Sequence, residues 1–525
     1  MDYSKSTILA RLASFDTLKV IVGLYIAQVI AVKAYWLFIY PYYVSPLRHL
    51  PGPKDHHFLI GQAINQFKSG SPNEPYVSWM RRWPTASMIR YFTFGNSDAL
   101  LVTSLAAHRE ILQTKCYSFE KPEFFRRLIA DIVGVGIVFA AGEEHKRQRK
   151  FLGALFSVAN IKAMVPMFQD KARELTALFE HAIEEDGGVV ELVSTYSKIM
   201  LDIMGVFALG KELNNLRSAS GSSFHDCYHE VFEPDAMGQV LVAINAFIPI
   251  RSWLPLKANK RFVHANAIVH GELGSIVKQR IAEIGERRKR GLEDNSVGVK
   301  DLLTYMVEDK YYASDEDRWT EEDILNQVLT FMAAGHETTA SSLVWMTYVF
   351  TQYPEITKRL RQEVQELLRR TPNPDYIDIE NLPHLNNFTR ELLRWQCPAV
   401  SAPREAVEDV IIQGVHIPKG TTVVMMPAVV QHNPTIWGDD CDVFNPDRWD
   451  RLDGESADSH AYAAFMQGPR MCIGKVMTVV EFKAILIEVL SKFEFEVIDT
   501  GKVELLNPSP LLRPKGGLKV RVKRL

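Results

Sequence analysis

Phe465-Met466-Gln467-Gly468-Pro469-Arg470-Met471-Cys472-Ile473-Gly474 is the stretch from which the rest of the chain can be read. Gly468 and Gly474 bracket a single cysteine, and a cation stands two residues ahead of it. From Lys475 to about Leu490 the chain continues with Val476, Val479, Val480, Phe482, Leu486 and Val489 at near-helical spacing, which predicts a helix. Cys472 therefore lies just ahead of a helix N-terminus, where unpaired N–H groups and the positive dipole end gather. That setting predicts a lowered thiol pKa and a thiolate, the form that binds metal. The two glycines permit approaches that a Cβ would block, so a large flat cofactor can lie on the loop. Arg470 suits an anionic group on such a cofactor. Without these neighbours a lone cysteine here would read as a buried, inert packing residue.

Phe465, Gly468, Arg470, Cys472 and Gly474 together resemble the haem-binding loop of the cytochromes P-450, the haem-thiolate monooxygenases. The resemblance implies that Cys472 is the axial ligand of a haem b iron and that Phe465, Gly468, Arg470 and Gly474 cradle the cofactor. It also implies one mainly α-helical domain with a smaller β region, overriding the roughly three or four domains that length alone suggests.

Other motifs extend the resemblance. Thr320 with Asp323 three residues later reads as a capping box. The helix it opens runs to about Gln352 and would span roughly 50 Å at 1.5 Å per residue. Its middle, Ala333-Ala334-Gly335-His336-Glu337-Thr338-Thr339, holds Gly and paired Thr, poor interior helix residues. This is either a packing notch or, as the resemblance implies, the groove that admits dioxygen, with Glu337 and Thr338 as a catalytic acid–alcohol pair. Glu391 and Arg394, with Arg448 in Phe444-Asn445-Pro446-Asp447-Arg448-Trp449, resemble the family's structural clamp. Gly142 to Lys150 opens a helix on which His145 and Arg149 share a face. The family usually has Trp where this chain has His145, and the pair is implied to reach a haem propionate, as is Arg404. Lys146, Arg147 and Lys150 form a basic face, either solvated or for docking.

Pocket contacts are expected from Phe124, Phe125, Val133, Ile137 and Phe139 in a run, Phe119 to Ala141, without clean periodicity, and from Phe331, Ala334, Ala399 and Val400. Ala86 to Val102 reads as a hairpin, and Val410 to Ile412 is expected to pair with Thr421 to Met426 across Gly414 to Gly420. Phe224 to Leu256 carries Met237, Leu241, Ile244 and Phe247, either core or a second membrane-facing surface. Gly285 to Val299 reads as a charged helix end and loop.

The N-terminal 1–19 segment precedes an apolar run, 20–43, about 24 residues and long enough to cross a membrane. Lys33 interrupts it, and Trp36, Tyr40, Tyr42 and Tyr43 suit a membrane interface. Residues 44–54 hold the stiff Leu50-Pro51-Gly52-Pro53 exit, leaving 55–525 as the catalytic domain. The resemblance to microsomal members implies an endoplasmic reticulum anchor with that domain in the cytosol. Composition is ordinary, with 47% hydrophobic and 23% charged residues, and the net charge of −3 argues against nucleic acid. Five scattered cysteines with no Cys-x-x-Cys pair argue against structural zinc and fit a reducing compartment better than a disulfide framework. The Asn387-Phe388-Thr389 sequon would face the cytosol unused.

The activity implied is monooxygenation of a lipophilic small molecule with dioxygen and electrons from NADPH through a separate reductase. The chain looks most like fungal microsomal members that tailor terpenoids or polyketides. A reductase-independent haem-thiolate isomerase or dehydratase, and a non-catalytic haem or lipid carrier, are the alternatives.

Overall fold

The computed structural model describes residues 15–217, 223–232, 234–251, 253–291, 300–314, 317–498, 501 and 503–525. The expected N-terminal segment falls largely, and the loop to Val299 partly, outside them. The long central helix, Glu321–Gln352, starts at a full capping box between Thr320 and Asp323. Most of its length is buried because helices surround it. Gly335 explains one crossing: a Cβ there would lie 2.4 Å from the Met204 sulphur on the Leu192–Met204 helix. The last helix, Lys475–Lys492, packs on Val158–Glu185. The latter is bent 58° from the preceding Gly142–Gly153 helix. Leu192–Leu209 is apolar enough to span a membrane, but it is 72% buried and belongs to the core.

The strands are β1 Met88–Phe92, β2 Asp98–Val102, β3 Phe119–Glu120, β4 Val189–Glu191, β5 Ala402–Ala406, β6 Val410–Ile412, β7 Val415–Ile417, β8 Thr422–Met425, β9 Phe493–Val497 and β10 Lys519–Arg524. β1-β2-β8-β5-β3 form one sheet, β4-β10-β9 a second and β6-β7 a third. The hairpin expected in Ala86 to Val102 is β1–β2, with Met88 opposite Val102. The second expected pairing is corrected. β6 pairs with β7 around Gln413 and Gly414, both at positive φ, as a two-residue hairpin turn requires. β8 instead runs parallel to β2 and antiparallel to β5. Its Val423, Val424 and Met425 are all buried, the pattern of a central strand covered on both faces.

A further correction concerns Phe119 to Ala141, where Glu123–Val133 is a regular helix. The chain after it is strung along the central helix. Asn326 and Gln327 side chains accept from the Val135 and Ile137 N–H groups, and Thr330 donates to the Val133 carbonyl.

The apolar N-terminal run is helical from Phe15 to Ala34 and continues as a wider π-wound turn, Tyr35–Val44, around Pro41, which lacks an N–H to donate. Leu18–Val44 therefore exceeds the expected 20–43 at both ends, with mean hydropathy 1.8 and none of its most apolar window buried. Its end is tied to the hairpin: the Ser45 hydroxyl donates to Asp98 at 2.6 Å, and Arg90 donates to the same carboxylate at 2.7 Å. The Pro51 carbonyl accepts from the Arg90 N–H, and a Cβ on Gly52 would sit 1.8 Å from the Arg90 carbonyl. Glycine is what lets the proline-rich exit lie across β1.

Candidate active site

The Cys472 loop is closed by its own backbone, since the Cys472 N–H donates to the Phe465 carbonyl at 3.0 Å. Gly468 takes φ 78°, and a Cβ there would lie 2.0 Å from the Leu112 carbonyl, so the loop docks on the core only with glycine at this position. Gly474 caps the Lys475–Lys492 helix. A Cβ on it would stand 4.0 Å from Phe156, whose ring stacks on Phe331 of the central helix at 5.5 Å. The loop is thereby set against the central helix one turn before Ala334. The thiol differs from the sequence expectation. Burial pushes Cys472 up, and the N–H groups of Gly474 and Lys475 with Arg149 only partly offset this. The helix end is where the sequence puts it, but desolvation outweighs the dipole.

A set of cations gathers beside the loop. Arg470 donates to the Ala140 carbonyl at 2.9 Å and lies over the Tyr117 ring, while its Nε and Nη2 are buried without a partner among the described residues. Arg404, on β5, is buried, donates to the Pro403 carbonyl and is held down to about 10 by burial and by Arg470. His145 is buried with Nδ1 3.3 Å from the Tyr117 hydroxyl. Burial and the Arg470 and Arg149 charges push its imidazole down to about 4, so it is neutral and carries one N–H. Arg149 is half-buried and senses the Cys472 sulphur. Two members escaped the sequence reading. Lys121 is pushed well below the ordinary ammonium range by burial and by Arg404 and Arg470, and Tyr117 contacts both His145 and Arg470. The Lys121-Pro122 break ahead of a helix was the one local signal. Buried cations that depress one another and leave N–H groups unpaired demand an anion.

Lys146 and Arg147 are exposed, on a solvated face. Each pairs with a carboxylate one turn back, Glu143 and Glu144. On the central helix the Thr338 hydroxyl donates back to the Ala334 carbonyl at 2.7 Å, and Ala334 is exposed on an otherwise buried stretch. Glu337 accepts from Arg513 Nη1 at 3.0 Å.

Of the pocket candidates, Phe125 lies near Phe139 at 6.2 Å, Ile137 and Phe331 are buried, and Ala399 bridges to Leu511. Val400 packs in the cluster of Trp79, Met80 and Val424. Phe124 stacks on Phe247 of the Ala236–Phe247 helix.

Behind the loop, Glu391 is fully buried and accepts from Arg394, Arg448, Trp449 and the Asn445 N–H. Trp449 meets Tyr462 edge-on at 5.3 Å, and Tyr462 meets Phe465. A continuous chain of contacts thus leads from this ion cluster to the first residue of the Cys472 loop. The Asn387 side chain is buried and donates to Asp450 at 2.8 Å, a poor acceptor for a glycan.

A family model described as Cytochrome P450 matches residues 51–522. The chain belongs to the cytochrome P450 family. It is 31% identical to cytochrome P450 monooxygenase sphH of Aspergillus fumigatus, over 97% of this chain and 93% of that one. It is 30% identical to cytochrome P450 monooxygenase FUM15 of Gibberella moniliformis, over 92% and 89%. Cytochrome P450 monooxygenase ptmK of Penicillium ochrochloron shares 27% identity over 94% and 98%. This P450 is a haem-dependent monooxygenase, which uses a redox partner, dioxygen and a small-molecule substrate. The residues present fit a haem. The unpartnered guanidinium N–H groups of Arg470 answer a propionate, and the glycine-bracketed sulphur answers the iron. Bound there, haem supplies the chemistry that activates dioxygen and inserts one oxygen atom into an organic substrate.

Proposed function

We propose that this P450 is a membrane-anchored monooxygenase of a lipophilic small molecule, a terpenoid or polyketide intermediate of secondary metabolism, supplied with electrons by an NADPH-dependent reductase. The observation that carries the site assignment is the buried cation set on and beside the Cys472 loop, with Arg470 N–H groups left for an anion. In this reading Cys472 would hold the haem iron. Arg470, Arg404, Arg149 and His145, with Lys121, hold the propionates. Phe465, Gly468 and Gly474 shape the cradle, and Phe125, Ile137, Phe331, Ala334, Ala399 and Val400 border the substrate. Phe124 guards its outer edge through Phe247.

The Leu18–Val44 span supports a membrane anchor; in this reading the membrane is that of the endoplasmic reticulum and the catalytic domain is cytosolic. Met237, Ile244, Phe247, Ile248 and Trp253 are exposed on and after the Ala236–Phe247 helix, and Phe94 from the β1–β2 turn stacks on Phe247 at 5.0 Å. An apolar surface of this kind suits a membrane, from which a lipophilic substrate enters.

Thr338 and Glu337 deliver protons to dioxygen in the notch over Ala334. Thr338→Ala removes the hydroxyl while keeping a good helix former, so the haem spectrum stays normal. Product per NADPH is expected to fall by about an order of magnitude, with hydrogen peroxide making up the difference. Thr339→Ala, rotated about 100° around the helix, should do much less. Equal product per NADPH in wild type and Thr338→Ala would leave Thr338 as a packing residue. Turnover without NADPH or reductase would favour an isomerase or dehydratase instead.

A further inference from the structure

Glu337 is the acid of the Ala333–Thr339 stretch, and its carboxylate is held by a buried arginine. Arg513, in the segment leading to β10, donates from Nη1 to Oε2 at 3.0 Å, with both side chains buried at 5% and 9% exposure. Arg513 Nη2 donates to the Phe232 carbonyl at 3.1 Å, at the end of the Ser223–Phe232 helix. One guanidinium therefore joins the central helix, that neighbouring helix and the C-terminal segment.

His336 stands at the other oxygen, with Nδ1 3.5 Å from Glu337 Oε1. Its Nε2 is 2.7 Å from the Ser197 hydroxyl. Burial pushes the His336 imidazole down to about 3, so the ring is neutral with one N–H. The Thr338 hydroxyl, one residue on, is turned to its own helix. The charged and titratable groups facing this acid are Arg513 from the C-terminal segment, His336 from its own helix and Tyr228 from Ser223–Phe232. His225 and His229 lie beside His336, and Lys198 lies near His225.

We propose that Arg513 is a positioning residue for proton delivery: it holds the buried Glu337 side chain beside Thr338. The proposal rests on the reading of Glu337 and Thr338 as the relay. A carboxylate deprived of its cation in a buried setting takes up a proton or turns toward water. Either change removes the group from the position in which it serves Thr338. Arg513 also braces the C-terminal segment, so a structural role must be told apart from a positioning one.

The experiment compares Arg513→Lys, Arg513→Met and Glu337→Gln in the full-length, haem-loaded enzyme. Without turnover, difference infrared spectra at neutral pH are expected to show a new protonated-carboxyl band in Arg513→Met. That band is absent from Arg513→Lys and from the Arg513→Met, Glu337→Gln double variant. Glu481, a buried carboxyl pushed far up by burial, contributes equally to every variant and cancels in the differences. In turnover, Arg513→Met should lose product per NADPH several-fold with KM for substrate unchanged, and Arg513→Lys should restore it. Should Arg513→Met not accumulate, Arg513→Gln, which keeps donors without the charge, carries the same comparison. No new band together with wild-type coupling overturns the proposal. So does a raised KM with intact coupling, which makes Arg513 a substrate contact. If Glu337→Gln and Thr338→Ala both stay coupled, the relay reading itself fails. If Glu337→Gln uncouples and Arg513→Met does not, only the role of Arg513 fails.

Discussion

Cys472→Ser is expected to abolish the thiolate band of the reduced carbon-monoxide difference spectrum and to lower reductase-supported product formation by more than about a hundredfold. The scale follows from metal sites in which loss of a mere supporting group costs about 10–100-fold. Serine keeps the size of the side chain but does not ionise near neutral pH, so no anionic ligand remains. The fold should survive. The loop is closed by a backbone hydrogen bond from residue 472 that serine retains. Burial raises the Cys472 thiol, so ligation must itself displace the proton. Metal loading should accordingly weaken as pH falls. Cys116, Cys397 and Cys441 are buried free thiols, also raised by burial, and Cys397→Ser should leave the band intact. An unchanged spectrum in Cys472→Ser would falsify the ligand assignment.

What the sequence made legible was local in origin. The central helix was readable because Thr320 and Asp323 cap it and Pro354 follows Gln352, signals within a few residues of each end. The last helix was readable from its own apolar spacing. The Glu123–Val133 helix was missed although Arg126, Arg127 and Asp131 oppose Phe125, Leu128 and Ile132, because the window ran on into the apolar stretch after Gly134. Strand partners were not legible at β6 and β8, since β8 is claimed by β2, more than three hundred residues earlier in the chain. Within the site the same division holds. The loop glycines announced themselves, but no local pattern relates Arg513 to Glu337, 176 positions apart. Ala334 and Gly335 read as one notch. The structure separates them: Gly335 serves the crossing with Met204, and Ala334 and Thr338 share the open face. The Cys472 thiol shows the limit most plainly, because a helix end is written in the sequence and desolvation is not.

Glu391→Ala is expected to cost about 3–5 kcal/mol of stability, the range found when one partner of a buried ion cluster is removed. Set against a total of about 5–15 kcal/mol for a folded protein, this leaves little. The carboxylate accepts two hydrogen bonds from Arg394 at 2.8 Å, one from Arg448 at 3.0 Å, one from Trp449 at 3.0 Å and one from the Asn445 N–H at 2.9 Å. Without it, two guanidinium groups face each other in the interior. Arg448 keeps Asp440, which is half exposed and can relax with it. Arg394 is fully buried and keeps only the carbonyls of Gln431, Cys441 and Val443. Replacing a buried ion cluster with apolar residues is often harmless, but not here, because the Gln431 and Cys441 carbonyls would lose their donor, while Val443 keeps Arg448. Glu391→Leu combined with Arg394→Leu should therefore remain destabilised. Glu391→Gln, which keeps an acceptor but not the charge, should fall between alanine and wild type. The damage should reach the haem as well, through Trp449 and Tyr462 to Phe465, so haem retention should fall in the same order as stability. Urea-unfolding midpoints and haem content of the four proteins check this. A loss below about 1 kcal/mol in Glu391→Ala, the scale of an exposed pair, would mean that the cluster is dispensable to the fold.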